Sequence, residues 1–326
     1  MCPLPSGLPD PRLAFLTGPE PGVSTTPTEG DDYLSFQHTN LDGEDFAIYG
    51  ERGTDGLGGN DTLYAGTPVG EGIGGPGDDV LIGSLERGDT PNVILWGGEG
   101  NDTLYSGANG TSMWGGPGDD VYHVFPVGID DFNPRTRDDM STGPENHLPI
   151  FTDAGFDTVF QYGDVEIQMS GIDRIVAVPG AGSMWLVAEP PYAREDTELV
   201  GNEGRNVLIG WGGMDVLTGG AGRDYFVIGG DPFIEEEDDL RVTITDFDDM
   251  DRLVFDDALL LDDTAADPRV RAMTEAEVVG FLESGVAAYR KSTGQISIDW
   301  DRDGTLEVVA ELGAGTRIEF DDLFWA

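Results

Sequence analysis

Residues 56–123 and 201–227 hold their large apolar side chains in short bursts, and glycine and acidic residues fence every burst. Within "GGEGNDTLY" (97–105) the burst Thr103-Leu104-Tyr105 has the length of a very short strand. Strand side chains alternate between faces, so of these three only Leu104 turns inward. The glycines ahead of it suit a tight turn, because they reach positive φ and allow close backbone approach. One turn and one strand make a nine-residue unit, and two units make a full coil. Successive turns then lie on opposite sides of that coil.

The unit repeats. "GGPGDDVLI" (74–82), "GGEGNDTLY" (97–105) and "GGPGDDVYH" (115–123) match G-G-x-G-x-D-x-U-x, where U is a large apolar residue. "GLGGNDTLY" (56–64) is a close relative, and a weaker unit, "PTEGDDYLS", ends near Ser35. A second array is strictly tandem: "GNEGRNVLI" (201–209), "GWGGMDVLT" (210–218) and "GGAGRDYFV" (219–227). The predicted fold class is all-β, a parallel β-roll solenoid in two arrays. Leu63, Leu81, Leu104 and Tyr122, then Leu208, Leu217 and Phe226, form its thin core.

Position six of the unit carries the charge. Along the first array it reads Asp61, Gly70, Asp79, Val93, Asp102, Thr111 and Asp120. The step from Asp79 to Val93 is 14 residues rather than nine, a five-residue insertion within "GSLERGDTPNVILW". Aspartate alternates with a residue that is no carboxylate, so all four aspartates fall on one side. The second array reads Asn206, Asp215 and Asp224 and offers one or two sites. Stacked carboxylates repel, and so narrow a core cannot hold them alone. Calcium answers both needs, since it takes six to eight oxygen ligands and accepts carboxylates and carbonyls together.

Composition agrees with a chain that meets cations. There are 17 Lys+Arg against 63 Asp+Glu, a net charge of −46. That balance argues against nucleic acid or an anionic membrane as partner. Acid fixed to glycine in one rhythm differs from the scattered acid of a halophilic surface. The 49 glycines imply too many turns for a helical bundle. A lone cysteine, Cys2, allows no intramolecular disulfide. The proline-rich start has no apolar core of secretory-signal length. No apolar run reaches the roughly 18 residues needed to span a membrane.

These repeats resemble the RTX family, the hemolysin-type calcium-binding repeats. The resemblance implies an ion between two turns on the same side of the roll, held by position-six aspartates and turn carbonyls. Carried over, the metal residues are Asp61, Asp79, Asp102, Asp120, Asn206, Asp215 and Asp224. The matching turn glycines are Gly59, Gly75, Gly77, Gly98, Gly100, Gly116 and Gly118. The family usually calcifies both edges, so a first roll calcified along one edge is a departure. "GFDTVFQYGDVEIQMSGIDRIVAV" resembles the β-rich segment that leads into such arrays, and "VTITDFDDMDRLVFDD" the strand and acidic turn that follow them. "AAYRKSTGQISIDWDRDGTLEVVAEL" and the ending "IEFDDLFWA" resemble the C-terminal hairpin and tail of proteins exported by type I secretion.

The expected organisation is a proline-rich tail (1–26), a first roll (27–125) and a β-rich connecting segment (126–195). A second roll (196–232) and a C-terminal cap with the secretion signal (233–326) follow. The family implies a secreted, extracellular protein with the type I secretion machinery as a partner.

Catalytic signatures are missing: H-E-x-x-H and G-x-S-x-G are both absent. Of His38, His123 and His147, none is expected to bind metal or catalyse, and His123 reads as an outward-facing strand residue. Paired carboxylates are too common here to pick out a glycosidase pair. Residues 1–55 are too short for an independent catalytic domain. A short helix is predicted over residues 273–284, where Thr274 caps and Glu277 completes a capping box. "DWDRDG", from Asp299 through Asp303, starts like an EF-hand loop, but its twelfth position is Ala310, so a solvated turn is the simpler reading. Trp96, Tyr105 and Trp114 occupy position nine and point outward. They form a sugar platform or a subunit contact, or residues 126–195 cover them. The leading reading is a secreted, calcium-dependent, non-catalytic protein with a role in binding, surface attachment or structure. The alternatives are an extracellular polysaccharide hydrolase or lyase and a carbohydrate-binding module using Trp96 and Trp114.

Overall fold

The computed structural model describes residues 33–36, 59–65, 71–83, 93–107, 111–125, 148–151, 155–163, 167–187, 196–210, 213–228, 241–255, 271–272, 285, 287–299, 304–319 and 322–325. The expected tail, the helix expected over residues 273–284, His38, His147 and Gly70 lie outside them. No α-helix occurs among the described residues. None of their elements is a helix long and apolar enough to cross a membrane. The chain divides into two units, Met1–Ile172 and Asp173–Ala326.

The first unit holds β1 (Tyr33–Phe36), β2 (Thr62–Ala65), β3 (Glu71–Pro76), β4 (Val80–Ile82), β5 (Val93–Glu99), β6 (Thr103–Tyr105), β7 (Thr111–Trp114), β8 (Val121–Val124), β9 (Leu148–Phe151), β10 (Thr158–Gln161) and β11 (Ile167–Ser170). Even-numbered strands and β1 line up as β1-β2-β4-β6-β8-β10, and the odd ones as β11-β9-β7-β5-β3. The pairs are parallel, as a coil that alternates between two sheets requires. Leu63 pairs with Leu81, Leu81 with Leu104, Leu104 with Tyr122, and Tyr122 with Val159. From the opposite sheet Leu95, Met113 and Ile150 stack in the same way. These residues are buried and make a core one side chain deep from each sheet. The largest of them, Tyr122, is polar at its tip, and the Gly115 N–H donates to its hydroxyl at 2.8 Å.

The second unit holds β12 (Arg174–Ala177), β13 (Trp185–Val187), β14 (Glu198–Val200), β15 (Val207–Gly210), β16 (Val216–Thr218), β17 (Tyr225–Ile228), β18 (Val242–Ile244), β19 (Arg252–Phe255), β20 (Arg271–Ala272), β21 (Ala287–Arg290), β22 (Gln295–Ile298), β23 (Glu307–Glu311) and β24 (Leu323–Trp325). One row of strands is β12-β14-β16-β18-β23-β22-β21 and the other β13-β15-β17-β19-β24-β20. Leu208 pairs with Phe226 in one row while Leu217 pairs with Leu199 in the other. Consecutive nine-residue units therefore feed opposite sheets, as the sequence predicts. Pairing turns antiparallel at β21–β22–β23 and at β20–β24, which ends the parallel coil. The fold class is thus an all-β parallel β-roll with a C-terminal hairpin.

Described strands from the segment between the two repeat arrays pair into the coil of their own unit. β9 pairs with β7 and β10 with β8 in the first unit. β12 pairs with β14 and β13 with β15 in the second. Here the connections vary in length, so the nine-residue period vanishes while the strands persist.

Candidate metal centre

In the first unit every described glycine-rich turn of the motif joins an odd strand to the next even one. Residues 77–79, 100–102 and 115–120 lead into β4, β6 and β8. Asp61, Asp79, Asp102 and Asp120 therefore stand on one edge, each just ahead of a strand of one sheet. They are joined in a ladder. The Asp61 N–H donates to Asp79 Oδ1 at 2.7 Å, that of Asp79 to Asp102 Oδ1 at 2.8 Å, and that of Asp102 to Asp120 Oδ1 at 2.8 Å. The ladder does not stop at the last recognisable repeat, because the Asp120 N–H donates to Asp157 Oδ1 at 2.8 Å.

A second ladder runs beside it in the opposite direction. Position five supplies the acceptors: Asn60 Oδ1 takes the Asp78 N–H at 3.0 Å and Asp78 Oδ1 that of Asn101 at 2.9 Å. Asn101 Oδ1 then takes the Asp119 N–H at 2.8 Å, and Asp119 Oδ1 that of Phe156 at 2.8 Å. Position six thus reaches back to the previous turn on this edge and position five reaches forward to the next.

The glycines divide the work. Gly98 and Gly100 sit at φ 127° and 129°, a region that side chains avoid. Position one has a different reason. A Cβ on Gly97 would run into Asp102 Oδ2 and the Gly115 carbonyl, and one on Gly74 into Asp79 Oδ2 and the Gly97 carbonyl. Each missing side chain leaves room in which a carboxylate oxygen and a turn carbonyl come together. Asp79 Oδ2 and Asp102 Oδ2 are buried and have no hydrogen-bond donor. Burial, reinforced by the Asp61 and Asp78 charges and only partly offset by the Asp61 N–H, pushes Asp79 up to about 7. Burial pushes Asp102 up to about 7 as well, aided by the charges of Asp79, Asp120 and Asp78.

Buried oxygens that cannot find a donor call for a positive charge. The donors on this edge are carboxylate and carbonyl oxygens, with neither thiolate nor imidazole, and that set suits a hard cation such as calcium. Among the described residues no three His, Cys, Asp or Glu side chains gather at one point. Turn carbonyls must therefore supply much of any ion's shell.

Among the described residues of the opposite edge of the first unit, neutral groups close two turns. Thr111 Oγ1 accepts the Gly107 N–H at 2.9 Å, and Ser106 Oγ accepts the Phe125 N–H at 2.9 Å. A hydroxyl satisfies the turn there without adding charge.

In the second unit the position-six residues lie on both edges. Asp215 Oδ1 accepts the Thr197 N–H at 2.9 Å on one edge. On the other, Asp224 Oδ1 accepts the Asn206 N–H at 2.7 Å, and Asp251 Oδ1 accepts that of Asp224 at 3.0 Å. Burial pushes Asp224 up to about 6, with the Asp251 and Asp246 charges adding to it and the Asn206 donors opposing it. Asp251 is raised by burial too. Its Oδ2 accepts the Asp248 N–H at 2.8 Å, and Asp246 takes the N–H groups of Gly219 and Gly220 at 2.8 Å each. Asp322 lies just ahead of β24 and pairs with Arg252 at 3.1 Å. Asn206 presents its amide nitrogen, not its oxygen, to the turn.

Sequence reasoning missed Asp157, Asp251 and Asp322, along with the position-five acceptors. The signal was available: Asp157 and Asp251 each precede a β-rich apolar burst, "TVF" and "RLVF". Asp299 Oδ1 lies 3.4 Å from the Gly304 N–H, while Asp303 is outside the described residues.

His123 alternates outward from the roll core but is half-buried in an aromatic row. Its ring stacks on Tyr105 at 4.3 Å and on Phe160 at 5.3 Å, with Nδ1 3.2 Å from the Tyr162 hydroxyl. Burial pushes it down to about 4, so it stays neutral. On the other sheet Trp96 and Trp114 stack face to face, 4.4 Å apart and 14° from parallel, with Trp96 39% exposed. In this stack each ring turns one face to the other.

Comparison with known families gives one match. Residues 87–110 and 195–226 match the model of the RTX calcium-binding nonapeptide repeat, in four copies. Neither the curated proteins nor the solved structures gave a match. The matched segments lie on the coil described above, and such repeats bind Ca2+ and form parallel β-rolls. A nonapeptide coil, buried position-six carboxylates beside turn carbonyls and the matching family model together show that this chain carries RTX calcium-binding repeats over residues 87–110 and 195–226.

Proposed function

We propose that this is a secreted, non-catalytic protein whose first roll folds when it meets extracellular calcium, and that the folded roll serves binding, surface attachment or structure. The observation that carries the reading is the pair of buried Oδ2 atoms of Asp79 and Asp102, each beside a turn carbonyl and without a donor. In this reading ions lie between the turns of Asp61 and Asp79, Asp79 and Asp102, and Asp102 and Asp120. Carbonyls of the turns that contain Gly59, Gly75, Gly77, Gly98, Gly100, Gly116 and Gly118 complete their shells. Asp215 serves the second array.

In the cytosol, where free calcium is low, the net charge of −46 keeps the first array unfolded. Outside, calcium at roughly millimolar level meets sites with affinities on the order of 10⁻⁴–10⁻³ M. Each site then adds about 0.5–1.5 kcal/mol by mass action, and several together act as a switch.

Circular dichroism tests the switch. The full chain should show weak β signal in EDTA and strong β signal in millimolar calcium, with magnesium a poor substitute because it holds its water. Equal β signal in EDTA and in calcium would overturn the reading. Export through type I machinery is tested by deleting residues 280–326, which should leave the chain in the cytosol of a strain carrying such an exporter. Normal secretion of the truncated chain would refute that part.

A further inference from the structure

One turn of the second unit holds a buried amide where the first unit holds carboxylates with unanswered oxygens. Asn206 is fully buried. Its Nδ2 faces four oxygens: the carbonyls of Asn202, Gly204 and Gly219, each at 3.2 Å, and Asp224 Oδ1 at 3.0 Å. The amide has only two hydrogens, so four acceptors are more than it can fully satisfy. A cage with more acceptors than donors, made of three turn carbonyls and one carboxylate, has the composition of a hard-cation shell. Asn206 Oδ1 points elsewhere and finds no donor. Turning the amide over would aim that oxygen at four others, so the electrostatics fix the observed orientation.

The surroundings agree. Asp251 Oδ2 is met by the Asp248 N–H, and both oxygens of Asp246 are met by backbone N–H groups. These carboxylates are answered by the protein, in contrast to Asp79 and Asp102.

The geometry points to Asn206 as a built-in stand-in for a cation: its amide group plugs an oxygen cage and closes this turn without calcium. The edge from Asn206 through Asp224 to Asp251 is then a part of the roll that holds its shape before any ion arrives. The ion-counting half of this inference rests on the calcium reading above, and the hydrogen-bond half does not.

The test counts bound ions on the full chain by equilibrium dialysis against calcium with elemental analysis, and measures thermal unfolding in EDTA. Asn206→Asp removes the plug and adds a carboxylate. It should bind one ion more than the wild type and melt lower in EDTA. Asn206→Ala should bind the same number of ions as the wild type and also melt lower in EDTA. An Asn206→Ala chain that binds one ion fewer would make Asn206 a calcium ligand and overturn the proposal. An Asn206→Asp chain that folds in calcium without gaining an ion would overturn it too. If Asn206→Asp fails to fold even in calcium, the Asn206→Ala count decides alone. A wild-type chain that binds no ion would defeat the calcium reading, and the cage would then stand or fall on whether Asn206→Ala lowers the melting temperature in EDTA.

Discussion

The Asp79 N–H reaches Asp102 Oδ1 at 2.8 Å across 23 residues, the same distance at which the Asp102 N–H reaches Asp120 Oδ1 across 18. The five-residue insertion leaves no mark on this junction. Strand register agrees, since Val80 pairs with Thr103 and Thr103 with Val121. The extra residues lie in the connection from β4 to β5, on the edge whose position six holds Val93 and Thr111 rather than aspartate, so the junction between Asp79 and Asp102 keeps the spacing of its neighbour.

Asp102 has aspartates on both sides in the ladder, and its replacement should therefore cost most. We expect Asp102→Ala to lose more bound calcium than Asp61→Ala, read by isothermal titration. Thr111→Ala should leave calcium affinity unchanged while lowering stability by about 1 kcal/mol, since it strips the Gly107 N–H of a buried acceptor. A clear fall in affinity for Thr111→Ala would show that the opposite edge binds ions.

Position-one glycine gives a second test. Gly97→Ala places a methyl group against Asp102 Oδ2 and the Gly115 carbonyl. Overpacking of this kind costs about 1–3 kcal/mol, and here it also fills the space that we assign to an ion. Calcium titration should show the loss of at least one site. Gly313→Ala, whose new methyl meets only Thr316 Oγ1 at 3.5 Å, should change neither calcium binding nor melting.

The raised carboxylates make the calcium-free protein sensitive to pH in an unusual direction. Asp79 and Asp102 titrate near 7 when folded, against 3.8 for an ordinary aspartate. Between those values the folded chain binds more protons than the unfolded one, so stability falls as pH rises. In EDTA the β signal of the chain should be stronger at pH 4.5 than at pH 7.5, with the loss spread over pH 4–7. Calcium replaces the protons, so its presence should remove this slope. A β signal in EDTA that grows with pH across the same window would contradict the assignment.

His123 works in the opposite sense. Folded, it titrates near 4, against 6.5 for a free histidine. The unfolded chain binds the extra proton in that window, so this residue contributes stability that is lost as pH falls from 6.5 towards 4. The His123 ring signals should not move above about pH 5 when followed by NMR. His123→Phe, which keeps the stack on Tyr105, should make the calcium-free roll relatively more stable at pH 4.5.

The stack of Leu63, Leu81, Leu104 and Tyr122 was legible because each lies at the same place in a nine-residue unit whose turn chemistry is rigid. Asp157 and Asp251 were not, because they follow their ladder partners by 37 and 27 residues. A period cannot be read through connections of arbitrary length, even where the strands they join fall in step. The Asn206 cage was hidden for another reason. Which end of an amide faces inward depends on carbonyls brought from residues 202, 204 and 219, and at the sequence level asparagine reads as a weakened aspartate.

The two ladders of the aspartate edge run in opposite directions, and this gives the roll a mechanical character. A coil that slid by one residue would break the position-five bond and the position-six bond at once, so the edge acts like a keyed spine. Among the described residues the Thr111 edge shows no such keys, and the chain has already lengthened there without disturbing the spine. Grafted loops or epitopes belong on that margin, where a change of length leaves the metal-bearing side in register.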